Sequence, residues 1–139
     1  MNKLILAFAV LWSCVCISEI QAQQSAQQRT TMDFIQVLDD KLDETMYYYE
    51  HNWLVLRQKA LELGYIHSYD RVLVERSEDA PFDLILITTY ADDAQFNTRE
   101  EHFQSLIKDH GELQLLNELT PGSFRKGIYG MDGAQVLPR

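Results

Sequence analysis

The chain has 139 residues, of which 21 are acidic and 12 are basic, and its formal net charge is −9. A surface this acidic repels phosphate groups, which argues against nucleic acids and anionic membranes as partners. The length suits one domain.

The first 22 residues have the pattern of a secretory signal peptide. Lys3 supplies the positive charge near the start, and the apolar run over residues 4–17 is too short to cross a membrane as a helix. The tripeptide Ile20-Gln21-Ala22 is a loose match to a cleavage site, so we place cleavage after Ala22. This predicts an exported protein, periplasmic or secreted, with no stable membrane anchor.

Both cysteines lie within this signal. A minor alternative is a lipoprotein signal in which Cys14 is lipidated, although Trp12 suits that pattern poorly. Cleavage after Ala22 removes Cys14 and Cys16, so the mature chain would have no thiol, disulfide or cysteine metal ligand. The polar run over residues 23–29 predicts a flexible leader before a domain at residues 30–139.

The predicted domain opens with a strand and a long helix. Residues 30–38 favour the strand, and Asp39-Asp40 is expected to cap the helix that follows. Over residues 41–63, apolar side chains recur at steps of three and four, which predicts one apolar stripe along a helix. The stripe consists of Leu42, Met46, Tyr49, Trp53, Leu56, Ala60 and Leu63. Gly64 is expected to end the helix.

Two further strands are predicted at residues 66–75 and 83–90, joined by a polar turn. In the second of them, DLILITTY, Leu84 and Leu86 point to one face and Ile85 to the other, because strand side chains alternate. Helices on one side of a sheet cover only one of these apolar faces. We therefore expect a homodimer that buries the other face.

The remaining elements complete the order. Thr98-x-x-Glu101 predicts a capping box for a helix at residues 99–110. A short helix is expected at residues 112–119, and a last strand at 127–137, where three glycines suggest a bulge or bend. The order β-α-β-β-α-β predicts an α+β, ferredoxin-like domain with a four-stranded antiparallel sheet.

One stretch resembles a known group. Trp53, Gly64, Ser68-Tyr69, the turn at residues 79–83 (DAPFD) and Thr89-Tyr90 follow the pattern of a poorly characterised exported group that is similar to the dimeric α/β-barrel superfamily. The resemblance implies two ferredoxin-like protomers whose sheets pack face to face. That superfamily includes haem-degrading and antibiotic-biosynthesis monooxygenases, muconolactone isomerases and chlorite dismutases, so the shared fold implies no single function.

Candidate site residues come from two elements. Tyr49 and Trp53 lie in the helix stripe and Asn52 borders it, whereas His67, Tyr69 and Arg71 share one face of the second strand. The first interpretation is a ligand pocket between the first helix and the sheet, with His67 as an acid or base, Tyr69 as a phenol donor and Arg71 as an anion anchor. The second places the strand trio at an edge of the dimer interface. Alternation alone does not decide whether His67, Tyr69 and Arg71 face the helices or the partner's sheet.

The sequence contains no recognised catalytic motif. It has neither G-x-S-x-G nor a glycine-rich phosphate loop, and His102 and His110 are not at the spacing of a helical metal pair, so no metal site and no cofactor are predicted. Two functions remain open. One is an exported homodimeric small-molecule-binding or structural protein. The alternative is a small oxygenase or isomerase acting on an aromatic or apolar compound, and haem or flavin enters only under that alternative.

Overall fold

The computed structural model describes residues 27–137. The predicted signal peptide at residues 1–22 and the start of the leader lie outside the described residues. The elements are β1 (Arg29–Val37), α1 (Leu42–Tyr48), a π-helical segment (Tyr49–Trp53), α2 (Leu54–Glu62), β2 (Ser68–Leu73), β3 (Leu84–Tyr90), α3 (Asp93–Asn97), α4 (Arg99–His110), α5 (Pro121–Phe124) and β4 (Arg125–Gln135). No helix among these residues is long and apolar enough to span a membrane.

The four strands form one antiparallel sheet in the order β2-β3-β1-β4. This is the ferredoxin-like arrangement, and it confirms the α+β fold predicted from the sequence. It is also the protomer architecture that the resemblance to the dimeric α/β-barrel superfamily implied.

The helices cover one face of the sheet, and the core lies there. Leu84 and Leu86 of β3 are 1% and 3% exposed, and Ile35 of β1 pairs with Leu84 on the same face. Two groups of buried residues fill the layer, one around Leu84 and Tyr49, the other around Ala60 and its neighbours on α4. The alternation seen in the sequence therefore sets which side of β3 meets the helices.

The opposite face of the sheet carries apolar side chains that the helices leave uncovered. They include Met32 and Phe34 of β1, Ile85 and Ile87 of β3, and Tyr129 and Met131 of β4. Tyr129 and Met131 are each 48% exposed, and Phe34 lies 4.5 Å from Tyr129 and 4.9 Å from Phe82 between ring centroids. We call this surface the open face.

The first helix is continuous over residues 42–62, as α1, the π-helical segment and α2 follow one another without a break. Gly64, at φ +72°, ends it, and Tyr65 N donates to Ala60 O at 2.8 Å. The buried stripe is shorter than predicted, because its two ends, Leu42 and Leu63, are 40% and 46% exposed.

Two predicted helix caps are wrong. Asp39 and Asp40 adopt φ values of +49° and +56° and form the turn before the helix, whose first boundary residue, Lys41, has no side-chain cap. Thr98 does not cap α4 either. Its hydroxyl donates back to Ala94 O at 3.0 Å, because the unpredicted helix α3 ends there.

The helix predicted at residues 112–119 is also wrong, since this stretch has no regular structure. Leu113 and Leu116 have helical spacing but are 51% and 49% exposed, so no packed face supports a helix there. Pro121 begins α5, a position that its fixed φ suits. The register of β4 with β1 shifts twice, in line with the irregularity expected from its glycines.

Candidate functional site

A cavity of about 620 Å³ lies between the long helix and the helix-facing side of the sheet. Small-molecule sites typically occupy about 300–1,000 Å³. Its aromatic lining includes Tyr48, Tyr49 and Trp53, and Tyr129 of β4 also borders it. Its aliphatic wall includes Ile35, Leu56 and Leu86; its polar groups include Asp33, Asn52, Arg57, His110 and Arg125. The cavity is therefore mostly apolar, with a few polar groups that could orient a ligand.

Two glycines of β4 create part of this space. Gly127 and Gly130 pair with Ile35 and Asp33, which places them beside the helix-facing side of β1. A Cβ atom on Gly127 would meet no other atom within 4 Å, whereas one on Gly130 would lie 3.2 Å from Asp33 Oδ1. The missing side chains thus leave the cavity open and let the Asp33 carboxylate lie close to β4.

Asn52 lies in the π-helical segment and is only 3% exposed. Its Nδ2 donates to Tyr48 O and Gln114 O, both at 2.8 Å. Its Oδ1 accepts from Gln114 N at 2.8 Å and lies 3.2 Å from His110 Nε2. Both donors and both acceptor positions of the amide are used. Asn52 therefore fastens the helix to the irregular segment over residues 111–120, which borders the cavity. Such π-helical turns are frequent at functional sites.

Arg57 is a fixed cation on the cavity wall. Its guanidinium lies 3.9 Å from the Phe103 ring centroid and 4.8 Å from that of Trp53, and Nε donates to Thr88 Oγ1 at 2.9 Å. Burial lowers the pKa of Arg57 to about 10, partly offset by the charges of Tyr90 and Asp33. The side chain remains protonated at neutral pH.

Arg125 is a second cation on the same cavity. Its guanidinium lies over the rings of Tyr48 and Tyr49, at 4.7 and 5.5 Å, and Nη2 donates to Tyr48 Oη at 3.2 Å. Its Nε is buried and has no hydrogen-bond partner. Within the described chain the ion-pairing cations are Arg29, Lys59, Arg71, Arg76 and Arg99. Neither Arg57 nor Arg125 is among them.

Asp33 supplies the acidic group of the cavity. Burial raises the pKa of its carboxyl; Arg57 opposes this and Asp132 adds to it. Arg57 acts on Asp33 through charge and not through a hydrogen bond, since no ion pair joins them. Burial also raises the pKa of the Tyr49 phenol, which is therefore neutral at physiological pH.

The candidate residues on the helix and those on the strand lie in different places. Tyr49, Asn52 and Trp53 line the cavity. His67 does not line it; the residue is exposed and lies just before β2.

Tyr69 and Arg71 lie on the helix-facing side of β2, opposite Thr88 and Leu86, and therefore not on the open face. Neither lines the cavity. Tyr69 packs edge-on against Trp53 with 6.0 Å between ring centroids, and Arg71 forms an ion pair with Glu50 at 3.7 Å. Tyr69 therefore supports the cavity-lining Trp53, and Arg71 stabilises the π-helical segment through Glu50.

Sequence reasoning missed Asp33, Arg57, His110 and Arg125. One signal for Asp33 was available, because this acidic residue shares a strand face with Ile35 and Val37, both buried. The position of Arg57, one turn after Trp53 on the apolar stripe side, was a second signal. Residues 27–137 contain no group of three or more His, Cys, Asp or Glu that could hold a metal ion.

No protein-family model and no curated protein matches this chain. Solved structures that match it include HapK from Hahella chejuensis, which is 14% identical, with a TM-score of 0.47, over 78% of this chain and 92% of that chain. Another is a putative antibiotic biosynthesis monooxygenase from Bacteriodes thetaiotaomicron VPI-5482, 14% identical, with a TM-score of 0.37, over 68% of this chain and 90% of that chain. At these values neither likeness implies an activity, a ligand or an assembly for this chain.

Proposed function

We propose that the protein binds a small aromatic or otherwise apolar compound bearing an anionic group, in the cavity between the long helix and the sheet. The observation that carries this proposal is the pair of arginines, Arg57 and Arg125, each held against aromatic rings and in no ion pair among residues 27–137. Partly buried cations are costly unless a counter-charge meets them. A carboxylate or a similar anion matches the guanidinium in charge and geometry.

The test compares two dyes with one ring system. 1-Anilinonaphthalene-8-sulfonate carries a negative charge, and N-phenyl-1-naphthylamine lacks it; both fluoresce more strongly in an apolar site. We expect the wild-type protein to bind both, and Arg125→Met to weaken only the sulfonate. Hydrogen bonds to charged groups contribute about 1.5–3 kcal/mol. Since about 1.4 kcal/mol is tenfold in affinity, the loss should be roughly tenfold or more.

The matched control is Lys126→Met. This substitution removes the same charge from the next position of β4. Lys126 is exposed and pairs with Gln36, so its side chain points to the other side of the sheet. Equal weakening by Lys126→Met and Arg125→Met would mean that only overall charge matters. Absence of binding of either dye to the wild type would refute the proposed function.

We propose a homodimer formed through the open face. The support is the uncovered apolar surface, including Tyr129 and Met131, since large exposed apolar patches are rare on monomers. Light scattering coupled to size-exclusion chromatography should give twice the protomer mass at micromolar concentration. A monomer across that range would refute it.

Export is also a proposal. A chain produced in a secreting host should start at Gln23, as measured by intact mass, if cleavage follows Ala22. A mass that includes lipid on Cys14 would support the lipoprotein alternative. A chain retaining residues 1–22 would contradict export by this signal.

A second candidate function is a small isomerase or oxygenase acting on a compound of the same kind. The specific observation that favours the isomerase is Asp33, a titratable carboxyl on the wall of the cavity that Arg57 and Arg125 also line. For the oxygenase, the discriminating measurement is the absorption spectrum on addition of haem or flavin. A stoichiometric shift would favour it, and unchanged spectra would favour the binding protein without a cofactor.

A further inference from the structure

The Asp33 carboxylate is placed differently from the other acids of the chain. It lies on the helix-facing side of β1, where its neighbours Ile35 and Val37 are buried, but Asp33 itself is exposed to solvent where the cavity opens. Its partner on β3 is Leu86 and its partner on β4 is Gly130, whose missing Cβ leaves room for the carboxylate. No ion pair of the described chain includes Asp33.

A second cavity, of about 350 Å³, reaches the same carboxylate from another side. Asp33 and Arg57 belong to the walls of both cavities. The second cavity also has Tyr90, Glu100 and Asp132 in its wall. Water in it could exchange protons with Asp33 while a ligand fills the larger cavity.

We propose that Asp33 is an acid–base group that transfers a proton on the carbon next to the carbonyl of a bound aromatic 2-oxo acid. This inference rests on the proposed binding of aromatic anions in the larger cavity, and it names the substrate class of that site.

The step balances without a further reactant. A carboxylate oxygen of Asp33 takes the proton, so that a carbon–hydrogen bond breaks and an oxygen–hydrogen bond forms. The electron pair moves into the carbonyl group, which becomes an enolate. Arg57 and Arg125 provide positive charge for the enolate oxygen and for the substrate carboxylate. Asp33 then returns the proton to the enolate, and nothing is oxidised or reduced.

The electrostatic surroundings fit this role. Arg57 of α2 and Arg125 of β4 are the cations of the larger cavity, and Tyr49 lies neutral in the π-helical segment. Asp132 of β4 is the acid whose charge acts on Asp33, and it is itself held by Arg99 of α4 at 2.6 Å. Burial raises the pKa of Asp33 more than the charge of Arg57 lowers it, and Asp132 raises it further, which makes Asp33 a stronger base than an ordinary aspartate once it is ionised.

The experiment uses phenylpyruvate as the probe, because it combines a carboxylate, a carbonyl and an enolisable benzylic carbon. Proton NMR in D2O follows the exchange of its benzylic hydrogens, and calorimetry measures its binding to the same samples. We expect the wild-type protein to speed the exchange above the rate in buffer. Asp33→Asn should lose about 100-fold or more of that acceleration, as is typical of an acid–base group, while binding phenylpyruvate at least as tightly. The acceleration should rise with pH as Asp33 ionises.

Asp79→Asn is the control, since Asp79 is exposed in the turn between β2 and β3 and its loss removes the same charge. It should exchange and bind like the wild type. Binding without acceleration in the wild type, or full acceleration in Asp33→Asn, would overturn the acid–base role and leave the binding function standing. Failure of the wild type to bind both phenylpyruvate and the sulfonate dye would overturn the binding function, and this inference with it.

Discussion

Replacing Asn52 by alanine removes the amide that fastens the long helix to residues 111–120. The side chain is 3% exposed, and its hydrogen bonds reach Tyr48, His110 and both backbone groups of Gln114. Three of the four bonds are 2.8 Å long. We expect Asn52→Ala to lower the free energy of unfolding and to loosen this border of the cavity.

The size of the effect follows from what happens to the partners. A hydrogen bond contributes a net value of about 0.5–1.5 kcal/mol, and a buried partner left unsatisfied costs about 1–3 kcal/mol. Gln114 is exposed, so its backbone groups can bond to water once Asn52 is gone. The expected loss of stability is therefore well below the cost of leaving all four partners unsatisfied, at roughly 2–3 kcal/mol. For a domain of this size that corresponds to a fall in Tm on the order of 10 °C.

Urea unfolding of the wild type and Asn52→Ala measures this difference, and hydrogen exchange of residues 111–120 shows where it arises. Asn97→Ala is the matched control, because Asn97 is exposed at the end of α3. Its effect should stay within about 0.5 kcal/mol. A loss below about 0.5 kcal/mol for Asn52→Ala itself, or unchanged exchange in residues 111–120, would refute the fastening role.

Three further outcomes are expected. Asp83→Ala should cost about 1–3 kcal/mol by urea unfolding, because Val37 N donates to Asp83 Oδ2 at 2.7 Å and Arg76 also bonds this carboxylate; an effect no larger than that of Arg76→Ala would contradict the assignment. Ile87→Asp, on the open face, should convert the proposed dimer to a folded monomer in light scattering, and a persistent dimer would exclude that face. Asp33→Asn should not lower Tm at neutral pH. Because the pKa of Asp33 is higher in the folded state, its protonated form stabilises the fold, and this stability is lost as pH rises through that pKa. The neutral amide has no such loss. A clear fall in Tm would contradict it.

The parts of the fold that the sequence predicted well are those in which local pattern and packing agree. The bounds of α4 match the prediction at residues 99–110, where the apolar spacing and Gly111 act together. The two apolar faces of β3 were predicted from alternation alone, and the structure covers one with helices. The helix predicted at residues 112–119 was wrong because leucines at helical spacing do not form a helix unless they pack against another part of the protein.

The candidate site was harder to predict because its groups come together only in three dimensions. Asp33 and Arg125 belong to the first and last strands, which are neighbours in the sheet but distant in sequence. Arg57 is fixed by Thr88 and by two rings from separate helices, a set of contacts with no local signature. The π-helical turn at Asn52 likewise has no sequence signal that periodicity detects. Glycines in β4 suggested a bulge but not the space that they leave.

Filling the cavity from β4 tests directly whether it is the binding site. The backbone of Gly127 is not left-handed, and a Cβ atom there would meet no other atom within 4 Å, so Gly127→Leu should fold while its side chain occupies the ligand space. Gly122→Leu, in open space on α5, is the control. Titration with N-phenyl-1-naphthylamine should show at least about tenfold weaker binding for Gly127→Leu, which is about 1.4 kcal/mol, with Tm and the control unchanged. Wild-type affinity in Gly127→Leu would contradict the claim that this cavity is the binding site.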